Sequence, residues 1–134
     1  DRFGSQCVVV AVDAKKNKNS WQVFSHGGSK NTKIDVFFWL EELANLGAGE
    51  ILLTSMDRDG TKSGFDIDLL KKATDILDIP VIASGGVGKL EHFKSGVSEG
   101  HASALLAASV FHFNKFSIEE VKKYLDKNNI PVRL

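Results

Sequence analysis

A single aspartate follows an apolar run near the start of the chain and could act on protons. Asp13 comes directly after the run Val8-Val9-Val10-Ala11-Val12. A carboxylate held at the tip of a buried strand is partly desolvated and can serve as a general acid or base. Aspartates at strand ends also commonly cap or orient a neighbouring loop, so Asp13 on its own leaves both interpretations open.

Glycine and hydroxyl residues follow three further apolar runs, in segments 54–64, 83–89 and 107–111. Glycine lets the backbone approach an anion closely, and backbone N–H groups can hold a phosphate without any net positive charge. Each glycine could instead serve only a turn or the packing of a helix on a strand. Three such loops at the same end of a sheet favour a phosphate site.

These loops need parallel strands to bring them together. The apolar runs 8–12, 51–53, 81–83 and 104–108 show no polar alternation, which is typical of strands covered on both faces. Segments with helical spacing follow each run, and the alternation predicts parallel strands joined by right-handed crossovers. We therefore expect an α/β fold of four βα units in a single domain over residues 1–134.

Local signals predict where the helices begin and end. We expect Asn31-Thr32 to cap a first helix that stops at Gly47, and Pro80 to follow a second over 67–77. A third helix is expected over 90–99, and a fourth starts at Ser117, where Glu120 completes a capping-box spacing. Trp21 to Phe24 predicts a small extra strand with its turn at Gly27-Gly28, in a loop above the sheet.

Composition excludes several classes of function. The 17 Lys and Arg balance the 17 Asp and Glu, so the basic surplus that nucleic acids and acidic membranes attract is missing. A small molecule or a protein is the expected partner. No apolar segment reaches the ~18 residues of a membrane span, the first six residues are no secretory signal, and we expect a soluble, cytoplasmic chain.

Metal and cofactor chemistry have no support in the sequence. His26, His92, His101 and His112 lack ligand spacing, and we interpret them as surface, cap or loop residues. The chain has no nucleophile elbow, no Walker loop and no dinucleotide fingerprint after the first strand, so we expect no metal and no cofactor. Cys7 cannot form an internal disulfide, and its apolar neighbours predict a buried, small hydrophobic residue.

Several motifs resemble one enzyme family over essentially the whole chain. Segments 12–15, 47–55, 57–64, 82–86 and 107–112 are similar to the cyclase subunit of imidazole glycerol phosphate synthase, an enzyme of histidine biosynthesis. The match covers strands five to eight of that barrel, and residues 3–6 resemble the junction before its fifth strand. The resemblance implies half of a (β/α)8 TIM barrel.

The resemblance also implies roles for individual residues. Asp13 matches one of two catalytic acids and bases that act while ammonia closes an imidazole ring, with release of 5-aminoimidazole-4-carboxamide ribonucleotide. Glu50, at the opposite end of its strand, matches the charged gate through which ammonia enters from a glutaminase subunit. The phosphate-binding positions are Asp59, Gly60, Gly86, Ala108 and Ser109, with Thr54, Ser55 and Ser84 nearby.

The family's first catalytic aspartate and second phosphate site lie in strands one to four, which no segment here matches. Four units cannot close a barrel, because an open sheet keeps two free edges and an exposed concave face. We expect a homodimer with a barrel-like interior and low or absent cyclase activity. One alternative is a non-catalytic phosphate-binding half-barrel that self-assembles; another is the sister isomerase of the same pathway.

Overall fold

The computed structural model describes residues 3–133, which form one six-stranded sheet and five α-helices. The strands are β1 (Val9–Asn17), β2 (Ser20–Ser25), β3 (Lys30–Asp35), β4 (Glu50–Ser55), β5 (Val81–Ser84) and β6 (Ala104–Leu106). The helices are α1 (Val36–Asn45), α2 (Ile67–Ile76), α3 (Leu90–Ser98), α4 (Ser109–His112) and α5 (Ile118–Lys127). A 3-10 turn, Ser5–Cys7, precedes β1.

Four of the strands are parallel and lie side by side in chain order. The sheet order is β3-β2-β1-β4-β5-β6, in which β1, β4, β5 and β6 pair in parallel. Sequential order with crossovers of one hand places the connecting helices on the same face of the sheet. This arrangement confirms the predicted α/β class and is that of a partial TIM barrel, in which the sheet is not closed.

The helices cover one face of the sheet only. Val12, Ile51, Leu53 and Val81 point towards the helices and are at most 2% exposed. Neighbouring helices contact one another in the order α1–α2, α2–α3 and α3–α5. The opposite face, which we call the open face, carries the alternate residues and is only partly covered. The expectation of strands buried on both faces is therefore not met within residues 3–133, because the second face has no helix layer.

The extra strand is real, but it extends the sheet instead of lying above it. β2 pairs antiparallel with residues 13–17 of β1, and β3 pairs with β2. β3 occupies the segment in which the sequence predicted a helix cap. The cap of α1 is Asp35, whose carboxylate accepts from the Phe37 and Phe38 N–H groups. Thr32 instead donates to the Val23 carbonyl across the hairpin.

The other helix boundaries follow the local signals closely. Ser117 and Glu120 form both hydrogen bonds of a capping box at the start of α5. β6 is shorter than predicted, because the chain turns into the one-turn helix α4 at Ser109.

The Cys7 prediction is wrong: the residue lies exposed in the turn before β1, and its thiol donates to the Phe3 carbonyl. No helix among residues 3–133 is long and apolar enough to span a membrane.

Candidate functional site

Asp13 belongs to a row of side chains that crosses the open face. The strand register aligns Asp13 with Thr54 of β4, Thr54 with Ser84 of β5, and Ser84 with Leu106 of β6. On the other side Asp13 is aligned with Phe24. Adjacent strands are ~4.8 Å apart, so Asp13 lies ~10 Å from Ser84 across the sheet. Thr54 and Ser84, two of the three hydroxyl residues predicted to lie near the site, therefore belong to the same row as Asp13.

A small pocket opens at this same end of the parallel strands. Its volume is about 150 Å³, which is below the ~300–1,000 Å³ of sites for drug-sized ligands and fits a small group. All five residues predicted to bind phosphate line it, together with others that the sequence did not single out. The lining consists of Asp59, Gly60, Lys62, Gly85, Gly86, Val87, Leu106, Ala107, Ala108 and Ser109.

Backbone contacts fix the two glycine-bearing loops against each other. The Gly64 N–H donates to the Gly86 carbonyl at 2.8 Å, which joins the β4–α2 loop to the β5–α3 loop. Gly86 has φ 103°, and a Cβ there would overlap the Gly64 carbonyl oxygen. Gly85 has φ 96°, and a Cβ there would lie 2.8 Å from the Ser55 carbonyl oxygen. Only glycine satisfies both the conformation and the close approach.

The pocket wall is rich in backbone donors and nearly neutral in charge. Within residues 3–133, the N–H groups of Gly60, Gly86 and Val87 donate to no other residue. Asp59 and Lys62 are the two charged residues that line the pocket, and their charges are opposite. An anion in the pocket would therefore be held mainly by backbone N–H groups, which need no surplus of positive charge.

Ser55 lies on the face of β4 opposite to the site. Its side chain faces the helix layer, is 2% exposed and donates to Asp66 at 3.1 Å. The buried Asp66 carboxylate also accepts from Nε1 of Trp21 at 3.2 Å and from the Leu69 N–H, so it caps α2. This network connects the hairpin, β4 and α2. Ser55 therefore lies on the face opposite to Thr54 and outside the pocket lining.

A second contact fastens the first strand to the β4–α2 loop. The Lys16 N–H donates to Oδ2 of Asp57 at 2.7 Å. Lys15 lies on the open face two residues beyond Asp13, with its Nζ 5.7 Å from the centre of the Phe24 ring. The expected strand tip at Asp13 is not found, because pairing with β2 continues β1 for four residues beyond it, to Asn17. Asp13 and Lys15 thus place an acidic and a basic side chain on the open face, with Asp13 level with the carboxyl ends of β4 and β5.

Three other predictions concern residues outside the pocket lining. Glu50 aligns with Val9 at the amino end of the strands, as expected for a residue remote from Asp13. No group of three or more His, Cys, Asp or Glu side chains in the described chain is placed to hold a metal ion. His92, expected at a surface, cap or loop position, is half-buried near the start of α3, and its Nδ1 accepts from the Gly88 N–H in the β5–α3 loop.

The fold and the pocket define a class. Sequential parallel strands with helices on one face, and a small pocket at the carboxyl ends of those strands, are features of proteins built on the TIM-barrel plan. A family model described as "Histidine biosynthesis protein" matches residues 1–117. Because the match spans most of the chain, this chain belongs to the histidine biosynthesis protein family.

Proposed function

We propose that this chain provides the phosphate-binding half of a cyclase of the imidazole glycerol phosphate synthase type. In this proposal the pocket holds one phosphate group of the substrate. TIM-barrel enzymes frequently bind phosphate in the loops after strands seven and eight, next to a short extra helix. β5 and β6 correspond to those strands by resemblance, and the one-turn α4 directly follows β6.

Backbone geometry supports phosphate as the ligand. Gly60 and Gly86 come from two different loops, Ser109 begins α4, and all three line one pocket. Unpaired N–H groups near fixed glycines form an anion-binding concavity whose strength comes from oriented dipoles. Lys62 adds one positive charge, which Asp59 balances. Such a site would bind the phosphate group firmly while contributing little to the recognition of the rest of the substrate.

Asp13 is proposed as the acid or base of the reaction. It lies in the row with Thr54 and Ser84, and an elongated substrate anchored in the pocket could extend ~10 Å across the sheet to reach it. Holding a reacting group near a carboxylate in this way is a large part of enzymatic rate enhancement. The single observation that carries the proposal is that Asp13 and the pocket share the carboxyl edge of the sheet.

Replacing Asp13 by Asn separates binding from catalysis. Inorganic phosphate should bind the variant about as tightly as the wild type in calorimetric titration, because Asp13 does not line the pocket. Ammonia-dependent ring closure, measured with the matching amino-terminal half added, should fall by about 100-fold or more. Loss of phosphate binding in the variant, or unchanged turnover, would contradict the assigned roles.

The open face supports self-association as a further part of the proposal. Val9 is 52% exposed and Leu106 is 41% exposed on this face. Residues 9–12 of β1 pair with β4 on one side, and no other described strand pairs with their second edge. Exposed apolar surface and free strand edges favour pairing with another chain. We propose that two copies pair at their strand edges, so that their open faces enclose a barrel-like interior. This assembly gives little turnover, since the second catalytic group is absent from the matched half.

Glu50 and a glutaminase partner belong to the same proposal. Glu50 lies at the amino end of the strands, where ammonia would enter a barrel of this type.

The alternative function is a phosphate-binding module without turnover. Both functions require the anion pocket, so only the Asp13→Asn comparison in the two-half assay distinguishes them.

A further inference from the structure

Gly88 adjoins the pocket wall, and side chains hydrogen-bond both of its backbone polar groups. Its N–H donates to Nδ1 of His92 at 3.1 Å, and its carbonyl oxygen accepts from Nζ of Lys115. Gly88 directly follows Gly86 and Val87, which line the pocket, whereas His92 and Lys115 do not line it. The two side chains therefore contact the loop from outside and leave its inner side to a ligand.

His92 also contacts the other glycine-bearing loop. Its ring lies 3.5 Å from the position that a Cβ on Gly64 would occupy. Gly64 in turn donates to the Gly86 carbonyl, so the imidazole stands where the two loops meet. A Cβ on Gly88 would lie 2.6 Å from the Lys62 carbonyl oxygen, which shows how closely the loops pack there. We therefore expect a change at His92 to reach the pocket through Gly64 and Gly88.

We propose that His92 is a positioning residue for the anion pocket, because Nδ1 of its neutral ring accepts the Gly88 N–H and holds the 86–88 wall in place. The inference rests on the proposed phosphate site and adds a residue to it. Since Gly88 donates, the ring proton must sit on Nε2. Protonating Nδ1 would place two N–H groups against each other, and the loop would have to move.

The surroundings of His92 favour the neutral ring. Partial burial lowers the pKa of His92, and the nearby Lys89 and Lys115 lower it further, whereas Glu91 raises it. The backbone and Cβ of Lys62, in the β4–α2 loop, also pack against Gly88. A lowered pKa means that the hydrogen bond is fully present at pH above 6.5 and is lost as the pH falls through the lowered value. Anion affinity should follow the same direction.

The test compares His92→Asn with His92→Leu. The Asn Oδ1 can stand where Nδ1 stands and does not titrate, whereas Leu fills space without an acceptor. Sulfate is the probe, since it keeps its charge between about pH 5 and 8, where imidazole titrates. At neutral pH, His92→Leu should weaken sulfate binding about three- to tenfold, which corresponds to one lost hydrogen bond. His92→Asn should stay within about twofold of the wild type.

The pH profile distinguishes positioning from simple packing. Wild-type affinity for sulfate should fall as His92 becomes protonated, and His92→Asn should lose that part of the pH dependence. A coupling across the hydrogen bond, between the nitrogen of Gly88 and Nδ1 of His92, should be visible by NMR in the ¹⁵N-labelled wild-type chain. If His92→Leu does not fold, the pH dependence of sulfate affinity in His92→Asn and this NMR coupling still test whether His92 positions the pocket wall.

The outcomes separate the inference from the function beneath it. A wild-type chain that binds no sulfate overturns the proposed phosphate site, and the inference with it. A wild type that binds sulfate while His92→Leu binds equally tightly, or while His92→Asn keeps the same pH profile, overturns the inference alone.

Discussion

Substituting Gly86 by alanine tests how the pocket wall is held. Gly86 has φ 103°, and a Cβ would overlap the Gly64 carbonyl oxygen, which is backbone and cannot rotate away. The strain of this conformation for a non-glycine residue is about 1–3 kcal/mol. Relieving the overlap would also separate the loops and break the hydrogen bond from Gly64 to Gly86, for about 1 kcal/mol more. We expect a total loss of about 2–4 kcal/mol in the free energy of unfolding.

Two other glycines provide matched controls. Gly27 and Gly60 have φ 63° and 74°, and a Cβ at either would meet no atom within 4 Å. Alanine at these positions carries the cost of the left-handed backbone without an overlap, which is about 1–2 kcal/mol. Gly27 lies in the hairpin turn, outside the pocket lining, and Gly60 lies in it.

The measurement is equilibrium urea denaturation at one fixed chain concentration, since self-association would shift the midpoint. Gly86→Ala should be the least stable variant, and sulfate should stabilise it less than it stabilises Gly27→Ala. A folded Gly86→Ala chain with the stability and sulfate response of Gly27→Ala would contradict this prediction, because the close approach to Gly64 would then add nothing to the cost of the substitution.

Other predictions test the supporting network, the open face and the last helix. Asp66→Ala should lower the free energy of unfolding, measured in urea, by about 2–4 kcal/mol, since it removes the cap of α2 and the acceptor of two buried donors. The control Asp68→Ala, at an exposed position of α2, should lower it by less than about 1 kcal/mol. In light scattering, Leu106→Asp should lower the measured mass towards that of the monomer, whereas the control Leu46→Asp, at another exposed leucine, should leave the mass unchanged. A monomeric wild type would contradict the proposed pairing. The bonds of Ser117 lower the pKa of Glu120, so this part of the stability should be fully present above pH 4.5 and be lost as the pH falls through the lowered value. In thermal melts, Glu120→Gln should lack this part of the pH dependence.

Much of the fold could be predicted because its signals are local. Four apolar runs mark the four parallel strands, and the Ser117–Glu120 spacing marks the start of α5. The gathering of Gly60, Gly86 and Ser109 followed from topology, since the carboxyl ends of parallel strands meet at one edge. That inference needed no knowledge of side-chain positions.

What the sequence could not predict depends on contacts between distant segments. β3 has the sequence KNTKID, which contains few strand-forming residues and is stabilised by pairing with β2. Cys7 adjoins an apolar run, but the turn that exposes it depends on where β1 begins. The burial of Ser55 against Asp66 and the contact of His92 with Gly88 require the loops to be in place first. One-turn elements such as α4 leave too short a pattern to detect.

Amide chemical shifts during a phosphate titration show whether the pocket binds the anion. The N–H signals of Gly60, Gly86 and Ser109 should move together with one dissociation constant, because these residues line the pocket, while the signal of Gly27, which does not line it, should stay in place. If phosphate moved none of these three signals, or moved only those of exposed lysines elsewhere, the pocket would not be an anion site.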